Sequence, residues 1–127
     1  MAVTTFAAID ISSYEICMKI FEFSRKGGFR TVDDIRYRLN LGVGVYSGGN
    51  MEVEKVDTIC EVLNDFKRIM EEYGVKEYRA CTTSVFREMK NPIIIIEQIY
   101  RRTGIHVEVL SNAEQHFLGY KSIAAIE

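Results

Sequence analysis

Thr5-Phe6-Ala7-Ala8-Ile9-Asp10-Ile11-Ser12-Ser13-Tyr14-Glu15 is an apolar run that stops at a carboxylate and a pair of serines. Continuous apolar character from Phe6 to Ile9 predicts a buried strand, and the short polar side chains that follow suit a tight turn. A second strand is therefore expected almost at once. A carboxylate at the end of a buried strand, beside a small-residue turn, can present a metal-binding or phosphate-facing group at a sheet edge. The same pattern also describes an ordinary hairpin between two core strands, and only other segments pointing to the same place decide between the two.

Working outward, Tyr14 to Phe23 alternates, with Tyr14, Ile16, Met18 and Ile20 on one side and Glu15, Cys17, Lys19 and Phe21 on the other. Such period-two patterning predicts a strand with one face much drier than its opposite. Ser24-Arg25-Lys26-Gly27-Gly28 reads as a turn whose glycines can take positive φ, so the chain folds back as a hairpin. The third strand is Phe29 to Leu41. Its Ile35, Tyr37 and Leu39 alternate with Arg36 and Arg38, while Asp33-Asp34 breaks the phase set by Val32 and predicts a bulge. The arginines could meet a polyanion or simply guard a solvated edge strand against edge-to-edge pairing.

Gly42, Gly44, Gly48 and Gly49 form a connection without the lysine-bearing spacing of a P-loop. Helix follows from about Met51 to Tyr73, because Val56, Ile59, Cys60, Leu63, Phe66, Met70 and Tyr73 recur at helical spacing and Gly74 stands where a C-terminal cap belongs. Glu77 to Thr83 is a buried strand. Asn91-Pro92 supplies a cap position and a proline at the first helical position, so Pro92 to Thr103 reads as helix ended by Gly104, although Ile93 to Ile96 pull toward strand. Ile105 to Leu110 is the last strand, and Ser111 or Asn112 caps a closing helix through Phe117, Tyr120 and Ile123.

The predicted order is βββαβαβα. Right-handed crossovers then place the fourth strand beside the first, giving an α/β fold with a five-stranded mixed sheet of order 3-2-1-4-5. In open α/β sheets ligands bind beyond the carboxyl ends of the strands. Here three such ends converge, carrying Asp10 with Ser12 and Ser13, the segment Thr82 to Arg87 that includes Thr83 and Ser84, and Ser111 to Gln115.

Composition bounds what such a site serves. The 127 residues make one domain, and 47% hydrophobic content, 27% charged residues and a single proline exclude a disordered or low-complexity chain. A formal net charge of −2 argues against general binding to nucleic acid or to an acidic membrane, while leaving room for a local basic site. Cys17, Cys60 and Cys81 are far apart and never form a C-x-x-C pair, as expected of reduced thiols in a cytoplasmic protein. His106 and His116 are isolated from every cysteine, which leaves no zinc-site spacing. Neither a signal peptide nor a membrane span is visible.

Four stretches together are familiar. Phe6-Ala7-Ala8-Ile9-Asp10-Ile11-Ser12-Ser13, Leu41-Gly42-Val43-Gly44-Val45, Thr83-Ser84-Val85-Phe86-Arg87-Glu88-Met89-Lys90-Asn91 and Thr103-Gly104-Ile105-His106-Val107-Glu108-Val109-Leu110-Ser111 resemble the N-terminal subdomain of the exopolyphosphatase/guanosine-pentaphosphate phosphohydrolase (Ppx/GppA) family. That family belongs to the actin-like ATPase superfamily, so the resemblance implies a ribonuclease H-like subdomain spanning residues 1–127. It also implies a second half that follows in family members, a cleft between the halves, and removal of terminal phosphate from polyphosphate or guanosine pentaphosphate with a divalent metal, magnesium being the expected ion. A lone half is expected to turn over poorly. It would pair with the C-terminal half of the same protein, or form a homodimer through the apolar face left exposed.

Carried over by position, Asp10 matches the first-loop aspartate associated with metal and phosphate, and Arg87 matches the arginine that contacts substrate phosphate through its forked donors. Ser12, Ser13, Thr83 and Ser84 are the accompanying phosphate-facing candidates. Ser12 departs from the glycine of the family's D-x-G-S-N-S loop, and Tyr14 and Glu15 replace its final Asn-Ser. After the fifth strand the family reads S-G-x-E-E-A-R, whereas this chain has Ser111-Asn112-Ala113-Glu114-Gln115-His116-Phe117. Gln115 takes the place of the glutamate base; an amide can orient water but cannot accept its proton. Glu114 points about a hundred degrees away on a helix. The resemblance therefore implies either a weak phosphohydrolase or a catalytically dead module that binds polyphosphate or a nucleotide.

Overall fold

The computed structural model describes residues 3–41, 51–82, 86 and 89–110. Along the chain run β1 (Thr4–Ile11), β2 (Glu15–Ser24), β3 (Gly28–Arg38), α1 (Val53–Tyr73), β4 (Glu77–Thr82), α2 (Pro92–Thr103) and β5 (Val107–Val109). They form a five-stranded sheet of order β3-β2-β1-β4-β5. The first three strands pair antiparallel, and β1, β4 and β5 pair parallel. This is the order expected from the sequence. The glycine-rich connection and the closing helix lie outside the described residues.

Alternation decides which face is dry. Thr5, Ala7, Ile9 and Ile11 of β1 are buried, as are Ile16, Met18 and Ile20 of β2, which lie in register beside them. Helix α1 adds Val56, Ile59, Cys60, Val62, Leu63, Phe66 and Met70 to the same core, and α2 adds Ile99. Each fully buried aliphatic or aromatic side chain contributes on the order of 1.5–3 kcal/mol, so this face dominates stability. The opposite face carries Phe6, Ala8 and Asp10 of β1 with Cys17, Lys19 and Phe21 of β2. At its far end the rings of Phe6, Phe21 and Phe23 gather around Phe29, with centroids 5.5–6.1 Å apart. Among the described residues no helix is long and apolar enough to cross a membrane.

The bulge falls where Asp33-Asp34 breaks the phase. Ile20 pairs with Asp33 and Phe21 with Thr31, so Val32 is the extra residue. Gly28, at φ 68°, closes the β2–β3 hairpin, while Gly27 donates its N–H to the Ser24 hydroxyl at 2.9 Å. Strand β3 stops at Arg38, short of Leu41. Beyond it the backbone bonds to the β1–β2 turn: Leu39 N–H donates to the Tyr14 carbonyl at 2.9 Å and Leu41 N–H to the Ser13 carbonyl at 2.8 Å. Strand β5 is likewise shorter than the span Ile105 to Leu110, because Ile105 N–H is taken by the Thr103 hydroxyl at 3.0 Å.

Helix α1 ends as its glycine predicts. Gly74 is left-handed, its N–H reaches the Glu71 carbonyl at 3.2 Å, and Val75 N–H reaches the Met70 carbonyl at 2.9 Å. Helix α2 begins at Pro92 as expected, but Asn91 occupies the cap position without a side-chain cap hydrogen bond. The isoleucine run winds around the helix rather than along one side. Ile93 is 76% exposed and Ile94 54%, whereas Ile95 and Ile96 are partly packed against the core.

Candidate active site

The parallel pairing of β1, β4 and β5 brings their carboxyl ends side by side, at Asp10-Ile11, Cys81-Thr82 and Val109-Leu110. Asp10 stands on the face away from the helices. Its register partners are Cys17 on β2 and Cys81 on β4, and Cys81 is in turn level with Glu108 on β5. Asp10 is solvent-accessible, yet the atoms packed around its carboxyl remove enough water to raise its pKa above the usual aspartate value, and the charge of Glu15 raises it further. Burial likewise pushes both neighbouring thiols, Cys17 and Cys81, up, with Asp10 adding to each, which favours their protonated forms.

The turn after Asp10 is held by its first serine. Ser12 N–H donates to the Glu15 carbonyl at 2.9 Å, its hydroxyl donates to that carbonyl at 3.0 Å, and the hydroxyl accepts Glu15 N–H at 3.2 Å. No described residue other than glycine has positive φ, so the side chain at Ser12 sits without backbone strain. Ser13 is buried under the Leu39–Leu41 strap, and Tyr14 at the turn is 70% exposed. The Glu15 carboxylate is held by Arg36 at 2.8 Å, and Arg36 also binds Asp34 at 3.0 Å. Arg36 thus serves acidic neighbours on its own edge of the sheet.

Beneath the site, Thr82 is fully buried and its hydroxyl donates to the Ile11 carbonyl at 2.7 Å. Thr82 in turn accepts Leu110 N–H at 2.8 Å. Phe86, directly before Arg87 in the chain, is fully buried in the core, and Met89 N–H donates to its carbonyl at 3.2 Å. Of the residues singled out from the sequence, Asp10, Ser12 and Ser13 are brought together at the end of β1. Thr83, Ser84, Arg87, Glu114 and Gln115 lie outside the described residues. Sequence reading missed the Glu15–Arg36 pair, the cysteines flanking Asp10 and the tie made by Thr82. All three are consequences of register, which becomes readable only once a given strand is matched to its neighbour residue by residue.

Among the described residues no three metal-ligating side chains converge, so a divalent cation at this edge would have the Asp10 carboxylate and water to rest on. Magnesium is often held by one or two carboxylates together with waters and substrate phosphates, and a cation there would relieve the repulsion Asp10 feels from Glu15. A concavity of about 390 Å³ lined by Lys67, Met70, Glu71, Gly74, Val75, Lys76 and Tyr78 sits at the opposite end of the sheet.

Comparison with known proteins bears on the family and the fold. The model of the Ppx/GppA phosphatase family matches residues 20–126. Exopolyphosphatase 1 of Mycobacterium leprae (strain TN) is 20% identical over 115 residues, covering 91% of this chain and 34% of that protein. Exopolyphosphatase 1 of Mycobacterium tuberculosis (strain ATCC 25618 / H37Rv) is 19% identical, covering 91% and 33%. The crystal structure of the Aquifex aeolicus Ppx/GppA family member superposes with a TM-score of 0.92 at 24% identity, over 98% of this chain and 40% of that one. An exopolyphosphatase from Cytophaga hutchinsonii ATCC 33406 superposes at 0.80 and 24%, over 87% and 35%. These likenesses show the fold, a five-stranded mixed sheet of order 3-2-1-4-5. The chain spans about a third of the length of the curated relatives it matches.

Proposed function

The chain belongs to the Ppx/GppA phosphatase family, and from that premise we propose that it is the N-terminal half of an exopolyphosphatase-like phosphohydrolase acting on the phosphoanhydride bonds of polyphosphate or guanosine pentaphosphate. The observation that carries this reading is the convergence of three parallel strand ends beside Asp10. Asp10 holds the divalent cation, Arg87 binds substrate phosphate through its paired donors, and Ser12, Thr83 and Ser84 line the approach, while Ser13, buried under the Leu39–Leu41 strap, is turned away from a phosphate-facing role. The hydroxyl of Ser12 is already engaged by its turn, so its contribution is to keep that turn closed beside Asp10. The cation, when bound, offsets charge on the transferring phosphate. The partners on this reading are a cytoplasmic phosphoanhydride substrate and the C-terminal half of the same protein, with self-association through the aromatic face as the alternative pairing.

Gln115 limits the chemistry. It orients water without accepting a proton, and loss of a general base costs about 100- to 10,000-fold in rate. Phosphate release from polyphosphate and from guanosine pentaphosphate, measured with Mg2+ on the natural gene product, is expected to be slow. Arg87→Ala should abolish it, and Gln115→Glu should raise it by a large part of that factor. Fast release that is indifferent to Arg87→Ala would refute the assignment. The same glutamine favours a second reading, a module that binds polyphosphate or a nucleotide without turnover. Saturable Mg2+-dependent binding with no phosphate released, even after Gln115→Glu, would select it.

A further inference from the structure

Thr82 stands at the end of β4, fully buried, level with Ile11 of β1 and Val109 of β5 at the last position where all three parallel strands pair. Its Oγ1 donates to the Ile11 carbonyl at 2.7 Å across a sequence separation of 71, and its own carbonyl accepts Leu110 N–H at 2.8 Å. Ile11 directly follows Asp10 and directly precedes Ser12. Leu110 directly precedes Ser111. A single residue therefore joins the strands at the points where each gives way to a candidate-site segment.

Strand ends hold poorly, because the ladder supplies partners on one side only and exposed termini open first. A side-chain hydroxyl bonded to a neighbouring carbonyl away from water adds a tie that does not need the ladder to continue. Breaking it leaves a buried carbonyl short of a donor, which is expensive. Threonine suits the task. Its branched Cβ restricts χ1, so the strand itself aims the hydroxyl. Thr82 is level with Ile11 on the core side of the sheet, and Asp10 is on the other side, so the tie acts from behind the carboxylate.

We propose that Thr82 is a positioning residue whose hydroxyl fixes the end of β1, and with it Asp10 and the Ser12 turn, against the ends of β4 and β5. Its functional meaning rests on the reading of Asp10 as part of a phosphate site, but the tie is a property of the folded chain and is tested without substrate. Amide exchange and backbone chemical shifts are followed by NMR on the whole chain as wild type, Thr82→Val and Thr82→Ser. Thr82→Val is expected to speed exchange at Ser12, Glu15 and Leu110 by about fivefold to tenfold and to shift the Asp10 resonances, while Ala7 and Ile20 keep their protection. Thr82→Ser, which retains the hydroxyl, is expected to restore the wild-type pattern.

Unchanged exchange in Thr82→Val, acceleration spread evenly over the sheet, or a serine variant as loose as the valine one overturns the proposal. Should Thr82→Val not fold, the wild-type chain decides. A Thr82 hydroxyl proton that exchanges slowly and shows proximity to Ile11 supports the tie, and one that exchanges freely with water overturns it. Failure of the phosphohydrolase reading would show instead as absent phosphate release with the exchange pattern intact.

Discussion

At Asp10, stability and the proposed cation-holding role pull in opposite directions. Burial first, and Glu15 second, raise its pKa in the folded chain, so the native state holds this proton more tightly than the unfolded chain does. The stabilisation belonging to the protonated form is complete at low pH and is lost as pH rises from the unfolded value of about 3.8 through the higher folded one. At pH 7 the ionised carboxylate therefore works against folding. Asp10→Asn is expected to unfold at higher urea concentration than wild type at pH 7, with the difference shrinking as pH falls below the ordinary aspartate range, while Mg2+-dependent phosphate release is lost. A neutral-pH stability equal to or below that of wild type would contradict this. The identity of Asp10 as a strand-end carboxylate was legible in Ile9-Asp10-Ile11-Ser12 alone. Its company of Cys17, Cys81 and Glu15 was not, since hydrophobic alternation shows which face a residue takes and not which residue stands beside it.

Elements were legible where both ends carried a chemical stop. Helix α1 ends at Gly74 because only the left-handed region lets the last turn satisfy its carbonyls, and the sequence places glycine there. An added Cβ at Gly74 meets nothing within 4 Å, so the cost of Gly74→Ala is purely conformational, about 1–2 kcal/mol. Denaturant unfolding checks it: a loss well outside that range would mean that the site is crowded or that the helix end is held by something else. The bulge at Val32 was readable for a similar reason, as two acidic residues interrupt an alternating run. Less readable were the ends of β3 and β5, where backbone donors turn from ladder partners to the Ser13 and Tyr14 carbonyls and to the Thr103 hydroxyl. Those partners are remote in sequence or belong to a neighbouring helix end, and no local pattern announces them.

For the molecule as a whole, one core joins the elements on one side of the sheet. Phe66 lies at its centre, fully buried, with its ring 5.7 Å from that of Tyr37 on the edge strand. Phe66→Ala should cost about 3–5 kcal/mol in chemical denaturation, because it combines lost burial with a cavity that a sheet and a long helix cannot easily close. A loss under 1 kcal/mol would mean that the helix packs elsewhere. The sheet order was derivable from the alternation of elements and the handedness of crossovers, whereas the uncovered aromatic face, with Phe23 41% and Phe29 39% exposed, was not anticipated as a cluster. The same topology sets an order of events during synthesis. The meander closes through short reversals and is able to form while the chain is still emerging, but β1 meets β4 only after some seventy further residues have been made. The nascent protein thus acquires its antiparallel scaffold early, and the seam between β1 and β4 closes late.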